Sequence, residues 1–376
     1  MTQVLDRQDA VLGFVSRWVR GLAEAAEQVR VVALEVGDTS GLPDNVDWVE
    51  LGRRGAVGRY LRYRRALGDA FGRGPSGGFD GLLTHMVPRY STVAAGWAAR
   101  AGVAHYLWYT HKGVDRRLLR AIERVDGVFT ASEESLRVET PKRIVTGHGI
   151  DAEHFDVAPV PLPASVPASG PAPGSAEAGG AALLSVGRLT AAKDPVCILD
   201  AVARLRAEGR DVTLTWAGGG LVARDDQYAS RVMETVRELG LGDAVRFVGA
   251  VPYPRVPELH AAADLFVSAS RTGSVDKVLL EAMAARRPLV SCNDSLGPLL
   301  SSDPALAPWA GDCTFPVGDG AALAERIAGW LDLDGGERGA RAEALRAHVV
   351  REHDVDRLMA RLVRTMEARG CADGAP

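Results

Sequence analysis

The chain has 376 residues, 47% of them apolar and 24% charged, with a formal net charge of −4. That length accommodates two domains of ordinary size, and the composition is that of a packed globular protein, not a disordered one. The acidic balance gives no global attraction to nucleic acid or to an anionic membrane, so no nucleic-acid partner is expected and any such contact is local.

Element patterns alternate from the outset. A helical pattern runs over 15–26, and what precedes it reads either as a very short first strand or as a truncated start. Val29–Val36 is a strand, and short apolar runs recur at 81–85, 103–109, 126–132 and 144–147, with helical patterns between most of them. Strands alternating with helices indicate an α/β domain built on a parallel sheet. Before the run at 81–85 lies an arginine-dense helix, with Arg53, Arg54, Arg59, Arg62, Arg64 and Arg65 around an expected core stripe of Val57, Tyr60, Leu61, Leu67 and Phe71. Membrane contact through this Arg53 to Arg65 helix is one reading; a solvated face is the other, and the acidic overall charge favours it.

From 157 to 180 the composition changes to Pro, Ala, Gly and Ser, with prolines at 159, 161, 163, 167, 171 and 173. Such a stretch builds no core and reads as an extended linker. The expected organisation is an N-terminal α/β domain over 1–158, a linker over 159–180 and a second Rossmann-like domain over 181–351. A last helix at about 352–370 can pack on either domain, including back on the first.

In the second half, strands are expected at 182–186, 212–217, 245–248, 265–268, 289–292 and 313–317, with helices between them. In sheets of this kind ligands sit beyond the carboxyl ends of the strands. Arg188 and Lys193 lie on the loop after the first of these strands, just before Asp194 and Pro195, which mark a helix start. Two cations there suit a diphosphate, Arg as a fork and Lys as a point charge. Gly218 and Gly219 follow the next strand, where glycines let a ligand approach the backbone, although an ordinary turn explains them equally. Val251 follows the third strand and is available to a planar base.

The stretch 268–284 then passes from strand to turn to helix, with Gly273 and Ser274 in the turn, followed by Val275, Asp276, Lys277 and Val278. A helix start here presents backbone N–H groups and a positive dipole end to an anion. Lys277 in the first turn is disfavoured by the dipole unless an anion is present, and Glu281, four residues on, shares its face. A ligand site and a surface Lys–Glu pair both fit these residues taken alone.

Taken together, Val-Gly-Arg-Leu with a lysine five residues past the arginine, Gly-Gly after the next strand, Phe-Val-Gly-Ala-Val, Ala-Asp-Leu-Phe-Val-Ser and Leu-Glu-Ala-Met-Ala resemble the donor domain of the family-4 retaining glycosyltransferases of GT-B fold. The resemblance covers nearly all of 181–350 and is looser in the N-terminal half. It implies two Rossmann-like domains whose parallel sheets face a cleft, a nucleoside-diphosphate sugar as donor, and a small-molecule or glycan acceptor. It implies that Arg188 and Lys193 bind the diphosphate and that Glu281 binds the ribose. The backbone near Val251 would meet the base, and the backbone from Gly273 to Asp276 the sugar and phosphate. Gly13 matches an N-terminal glycine loop near the phosphates, and His111 matches the histidine that faces the donor sugar. Asp6, His85 and His148 are weaker acceptor-side candidates.

The chain departs from the pattern at one place. Where the family has an acid for the sugar hydroxyls, eight residues before Glu281, it has Gly273, and Asp276 or Ser274 is left to take over part of that contact. The reaction implied is transfer with retention, the leaving phosphate taking the acceptor proton on the same face, with neither metal nor cofactor. Asp225 with Asp226, and Asp332 with Asp334, are read as solvated acidic pairs and not as metal ligands. An unusual acceptor such as a thiol or aminocyclitol, and a nucleotide-sugar-binding protein without catalysis, are the alternatives.

His105 is read as a packing residue, and His260, His348 and His353 as helix-surface residues. The four cysteines, Cys197, Cys292, Cys313 and Cys371, show no C-x-x-C spacing and are read as reduced thiols. With no leader pattern at the start and no run long enough to span a bilayer, a cytoplasmic protein is expected. Nothing in the sequence sets its oligomeric state.

Overall fold

The computed structural model describes residues 1–72, 78–160, 180–218, 226–271 and 274–372, with 226–227 and 369–372 as backbone only. Of the sequence-based candidates, Gly219, Asp225 and Gly273 lie outside the described residues, as does most of the proline-rich stretch. The chain divides into two compact units: Met1–Gly149 together with the chain from His353 onward, and Ile150–Glu352.

The first unit contains β1 (Thr2–Leu5), α1 (Phe14–Ala25), β2 (Val29–Val36), β3 (Val46–Glu50), α2 (Ala56–Phe71) and β4 (Gly81–His85). It continues with α3 (Pro88–Ala101), β5 (Ala104–Trp108), α4 (Arg116–Arg124), β6 (Gly127–Thr130) and β7 (Arg143–Val145). Its strands pair in parallel as β1-β2-β3 and β4-β5-β6-β7, and Met1 links the two sets by bonding to Leu83 and His85. The very short first strand is therefore β1. β3 escaped the sequence reading because its Val-Asp-Trp-Val-Glu run alternates with acids, as a half-solvated strand does.

The second unit contains β8 (Ala181–Val186), α5 (Pro195–Ala207), β9 (Val212–Ala217), α6 (Asp226–Glu238), β10 (Val245–Gly249), α7 (Val256–Ala261) and β11 (Leu265–Ser268). After these come α8 (Lys277–Ala284), β12 (Leu289–Ser291), α9 (Leu296–Ser301), α10 (Gly320–Asp332) and α11 (Gly335–Glu352). The sheet is parallel in the order β10-β9-β8-β11-β12. The strand expected at 313–317 is reduced to a single bridge between Ser291 and Thr314. Pro316 has no N–H with which to continue a ladder.

The last helix, α12 (Val355–Ala372), belongs to the first unit. Its Val355, Leu358, Met359 and Leu362 are buried with Trp18, Trp108 and Phe129, and Trp18 meets Trp108 edge-on at 4.7 Å. The chain leaves the first unit at Gly149, not at 158, because Ile150 and Phe155 are fully buried in the core of the second. On α2 the expected core stripe holds only in part, since Leu67 is buried and Phe71 packs against the same cluster. Tyr63, Ala66, Leu67 and Ala70 are buried, whereas Val57, Tyr60 and Leu61 are exposed. Two stripes of helical period coexist in that sequence, sharing Leu67, and the one through Tyr63 faces the core. His260, His348 and His353 are likewise buried and not on helix surfaces.

Candidate functional site

In an open parallel sheet the ligand crevice lies where the strand order reverses. In the second unit that point is between β8 and β11, so the loops leaving these strands meet there.

After β8, Arg188 is exposed and makes no hydrogen bond or ion pair among the described residues. Lys193 crosses to the other loop: its Nζ donates to Ser270 Oγ at 3.1 Å and to Asp276 Oδ2 at 2.7 Å. Asp194, at a left-handed φ of 42° that aspartate tolerates, is ion-paired with Arg271. Gly218 runs close beside Gly187, whose carbonyl accepts the Trp216 indole N–H at 2.7 Å.

After β11, the Ser274 carbonyl accepts Asn293 Nδ2–H at 2.8 Å, which fixes the turn before α8. Asp276 is the N-cap residue of α8, yet its side chain caps nothing. An N-cap carboxylate ordinarily accepts from the first-turn N–H groups and contributes about 1 kcal/mol. Here it serves Lys193, and the first-turn N–H groups have no side-chain cap. Lys277, a cation at the positive end of the dipole, is held by acidic and aromatic neighbours. It pairs with the buried Glu281, donates to Tyr253 Oη at 3.2 Å and lies 4.7 Å from the centre of the Tyr253 ring. The His154 ring lies 5.4 Å from the Tyr253 ring, tilted by 33° to it.

Lys193, Lys277 and Glu281 therefore gather at the start of α8, each cation with an acidic partner, while Arg188 stands exposed on the loop that carries Lys193. An anion placed at this helix start meets an ammonium and helix N–H groups together. Val251 and Val275 are buried in the core, so only their backbone is available to a ligand and not, as expected for Val251, the side chain. Val278 is half-buried and packs against the same core.

Tyr253, His154 and Asn293 were missed by the sequence reading. Asn293 had a signal, since it lies just past the carboxyl end of β12. Tyr253 and His154 had none, because their meeting depends on contacts between distant parts of the chain.

The candidates of the first unit separate into one exposed side chain and several buried or structural ones. His111 is exposed; its Nδ1 accepts the Gly113 N–H at 2.9 Å, so a neutral ring carries its proton on Nε2. Gly13 is buried at the N-cap of α1. Asp6 Oδ1 accepts from Gln8 N at 2.8 Å and Asp38 N at 3.1 Å, joining the turns after β1 and β2. His85 is buried against Phe14 and Trp18, and burial pushes its pKa down to about 3, so it stays neutral. His148 is buried too, its backbone N–H donating to His353 Nδ1 at 3.2 Å. Both side chains are therefore buried within the first unit.

A cavity of about 1040 Å³ in the same unit lies at the amino ends of β2 and β4, the edge opposite the ligand loops, with Trp18, Leu67 and Leu82 in its wall. Among the described residues no group of three or more His, Cys, Asp or Glu is arranged to hold a metal ion, and no helix is long and apolar enough to cross a membrane.

Residues 180–332 match the profile of a family described as Glycosyl transferases group 1. Mannosylfructose-phosphate synthase of Agrobacterium fabrum is 33% identical over 113 residues, which is 30% of this chain and 25% of that protein, so the chain aligns with about a quarter of this relative's length. The crystal structure of Anabaena Alr3699/HepE in complex with UDP and glucose matches with a TM-score of 0.74 at 17% identity, covering 98% of this chain and 100% of that one. Sucrose-phosphate synthase from Thermosynechococcus elongatus matches with a TM-score of 0.70 at 18% identity, covering 99% of each chain. The fold is GT-B, with two Rossmann-like units on parallel sheets.

Proposed function

We propose that the protein is a glycosyltransferase that moves a sugar, with retention, from a nucleoside-diphosphate sugar to a small-molecule or glycan acceptor in the cytoplasm. The observation that carries this is the contact of Lys193 with Asp276 at the start of α8, at the sheet's switch point, with Arg188 on the same loop as Lys193 and Glu281 one turn along the helix. The family profile lies over the same residues, and a structural neighbour was solved with UDP and glucose.

In this reading the diphosphate takes the Arg188 guanidinium, the Lys193 ammonium and the N–H groups from Ser274 to Val278. These groups stabilise the charge that builds on the leaving phosphate as the bond to the anomeric carbon breaks. The phosphate oxygen accepts the acceptor's proton as the new bond forms on the same face, with no protein nucleophile and no metal. Glu281 accepts from the ribose hydroxyls, and Tyr253 flanks the nucleoside. His111 contributes Nε2–H to position the sugar. Gly218, beside Gly187, lets phosphate approach the backbone.

Thermal shift with UDP, GDP and dTDP tests the donor site, and stabilisation by one of them is expected. No stabilisation by any would sink the reading. Hydrolysis or transfer of the matching nucleotide sugar then separates an enzyme from a protein that only binds.

A further inference from the structure

Asp276 departs from the usual behaviour of its position. At the N-cap of α8 it leaves the helix N–H groups alone, and its carboxylate, only 14% exposed on the side chain, lies 2.7 Å from Lys193 Nζ. A diphosphate that reaches Lys193 thus meets a carboxylate already beside it. Two anions that close repel unless one is engaged by hydrogen-bond donors. The group that a nucleotide sugar adds beyond its diphosphate is a ring bearing hydroxyl donors.

The other acids of these elements are committed elsewhere, Asp194 to Arg271 and Glu281 to Lys277. The Ser274 carbonyl is bonded to Asn293. Gly273, at the position of the missing acid, has no side chain with which to accept a hydrogen bond. Asp276 is the carboxylate on this turn whose partner, Lys193, is also the group that a diphosphate engages.

We propose that Asp276 determines donor-sugar specificity: held next to the diphosphate by Lys193, its carboxylate accepts hydroxyl hydrogen bonds from a neutral sugar and repels a sugar that carries its own carboxylate. The proposal rests on the donor-site reading above and adds the class of sugar to it. Lys193 has two tasks here, since it binds the phosphate and aims the acid.

The test is calorimetric binding of the unaltered protein, Asp276→Asn and Asp276→Ala to UDP, UDP-glucose and UDP-glucuronic acid. GDP, GDP-mannose and GDP-mannuronic acid replace them if guanosine is the base that binds. The unaltered protein is expected to bind the neutral sugar nucleotide at least about tenfold more tightly than the acidic one. Both variants are expected to lose most of the preference for the neutral sugar nucleotide over the acidic one. An equal fall in affinity for all three ligands would overturn the proposal, leaving Asp276 only the placement of Lys193. Equal binding of neutral and acidic sugars by the unaltered protein would overturn it as well. Failure of the unaltered protein to bind any of these diphosphates removes the donor-site reading itself, a different result from either.

Discussion

A Cβ on Gly218 would stand 1.9 Å from the carbonyl oxygen of Gly187. That oxygen is already fixed by the Trp216 indole, and Gly187 N–H donates to Ala217 O at 2.8 Å, so neither strand end can give way easily. Gly218→Ala is expected to destabilise the protein by about 3 kcal/mol, the upper part of the overpacking range. It should also weaken nucleotide binding, because relief of the clash moves the loop that carries Arg188. Chemical denaturation and nucleotide titration of the variant check both effects.

Arg188 carries the opposite expectation. It is exposed and unpaired among the described residues, so Arg188→Ala should change stability by no more than about 0.5 kcal/mol. Loss of a charge-assisted fork to a diphosphate should weaken nucleotide binding by about 10- to 100-fold. A variant that melts normally yet binds the nucleotide as before contradicts the site.

Lys277 and Glu281 form a partly buried pair, with side-chain exposures of 17% and 4%. Lys277→Met leaves the Glu281 carboxylate buried without that partner and is expected to destabilise by about 2–3 kcal/mol, below the range for fully buried pairs because Lys277 reaches solvent. Adding Glu281→Gln to Lys277→Met should recover part of the loss. Equal stability of single and double variants would show that the pair is not coupled.

His260 is fully buried, stacked near Phe266 and edge-on to Phe155, with neither ring nitrogen hydrogen-bonded among the described residues. Burial, with a smaller contribution from nearby Arg287, pushes its pKa down to about 3 from 6.5. The unfolded chain therefore binds a proton between pH 6.5 and about 3 that the folded chain refuses, and stability falls as pH falls through that window. The slope for this one group is about 1.4 kcal/mol per pH unit. His260→Phe should flatten the acid side of the stability profile by that amount and raise the melting temperature at neutral pH, where an unsatisfied polar ring is removed. Denaturation midpoints at pH 7 and pH 5 give both readings.

Much of the second unit was legible in the sequence. Strands buried on both faces give short apolar runs, and Arg188, Lys193 and Glu281 stand at fixed distances from them. What was not legible depends on contacts between distant residues. Asp276 reads locally as a helix cap, and its partner Lys193 is 83 residues away. Val57, Tyr60 and Leu61 match the helical period as well as the stripe that is buried, and periodicity cannot choose between two stripes on one helix. His260 lies on a helix short enough for every side to be covered, so surface placement failed there. Asp6 and His85 are near strand ends, where ligands are expected, but their side chains stabilise the strand ends themselves.

The return of α12 to the first unit has a consequence for synthesis on the ribosome. Val355, Leu358, Met359 and Leu362 complete the cluster around Trp18 and Trp108, and they are made after the whole of the second unit. During translation the first unit therefore waits with an uncovered tryptophan face while the second, contiguous in the chain, is free to fold. Exchange of donor specificity by grafting would need two junctions, one near Gly149 and one near Glu352, because a cut at a single point would carry the closing helix away with the graft.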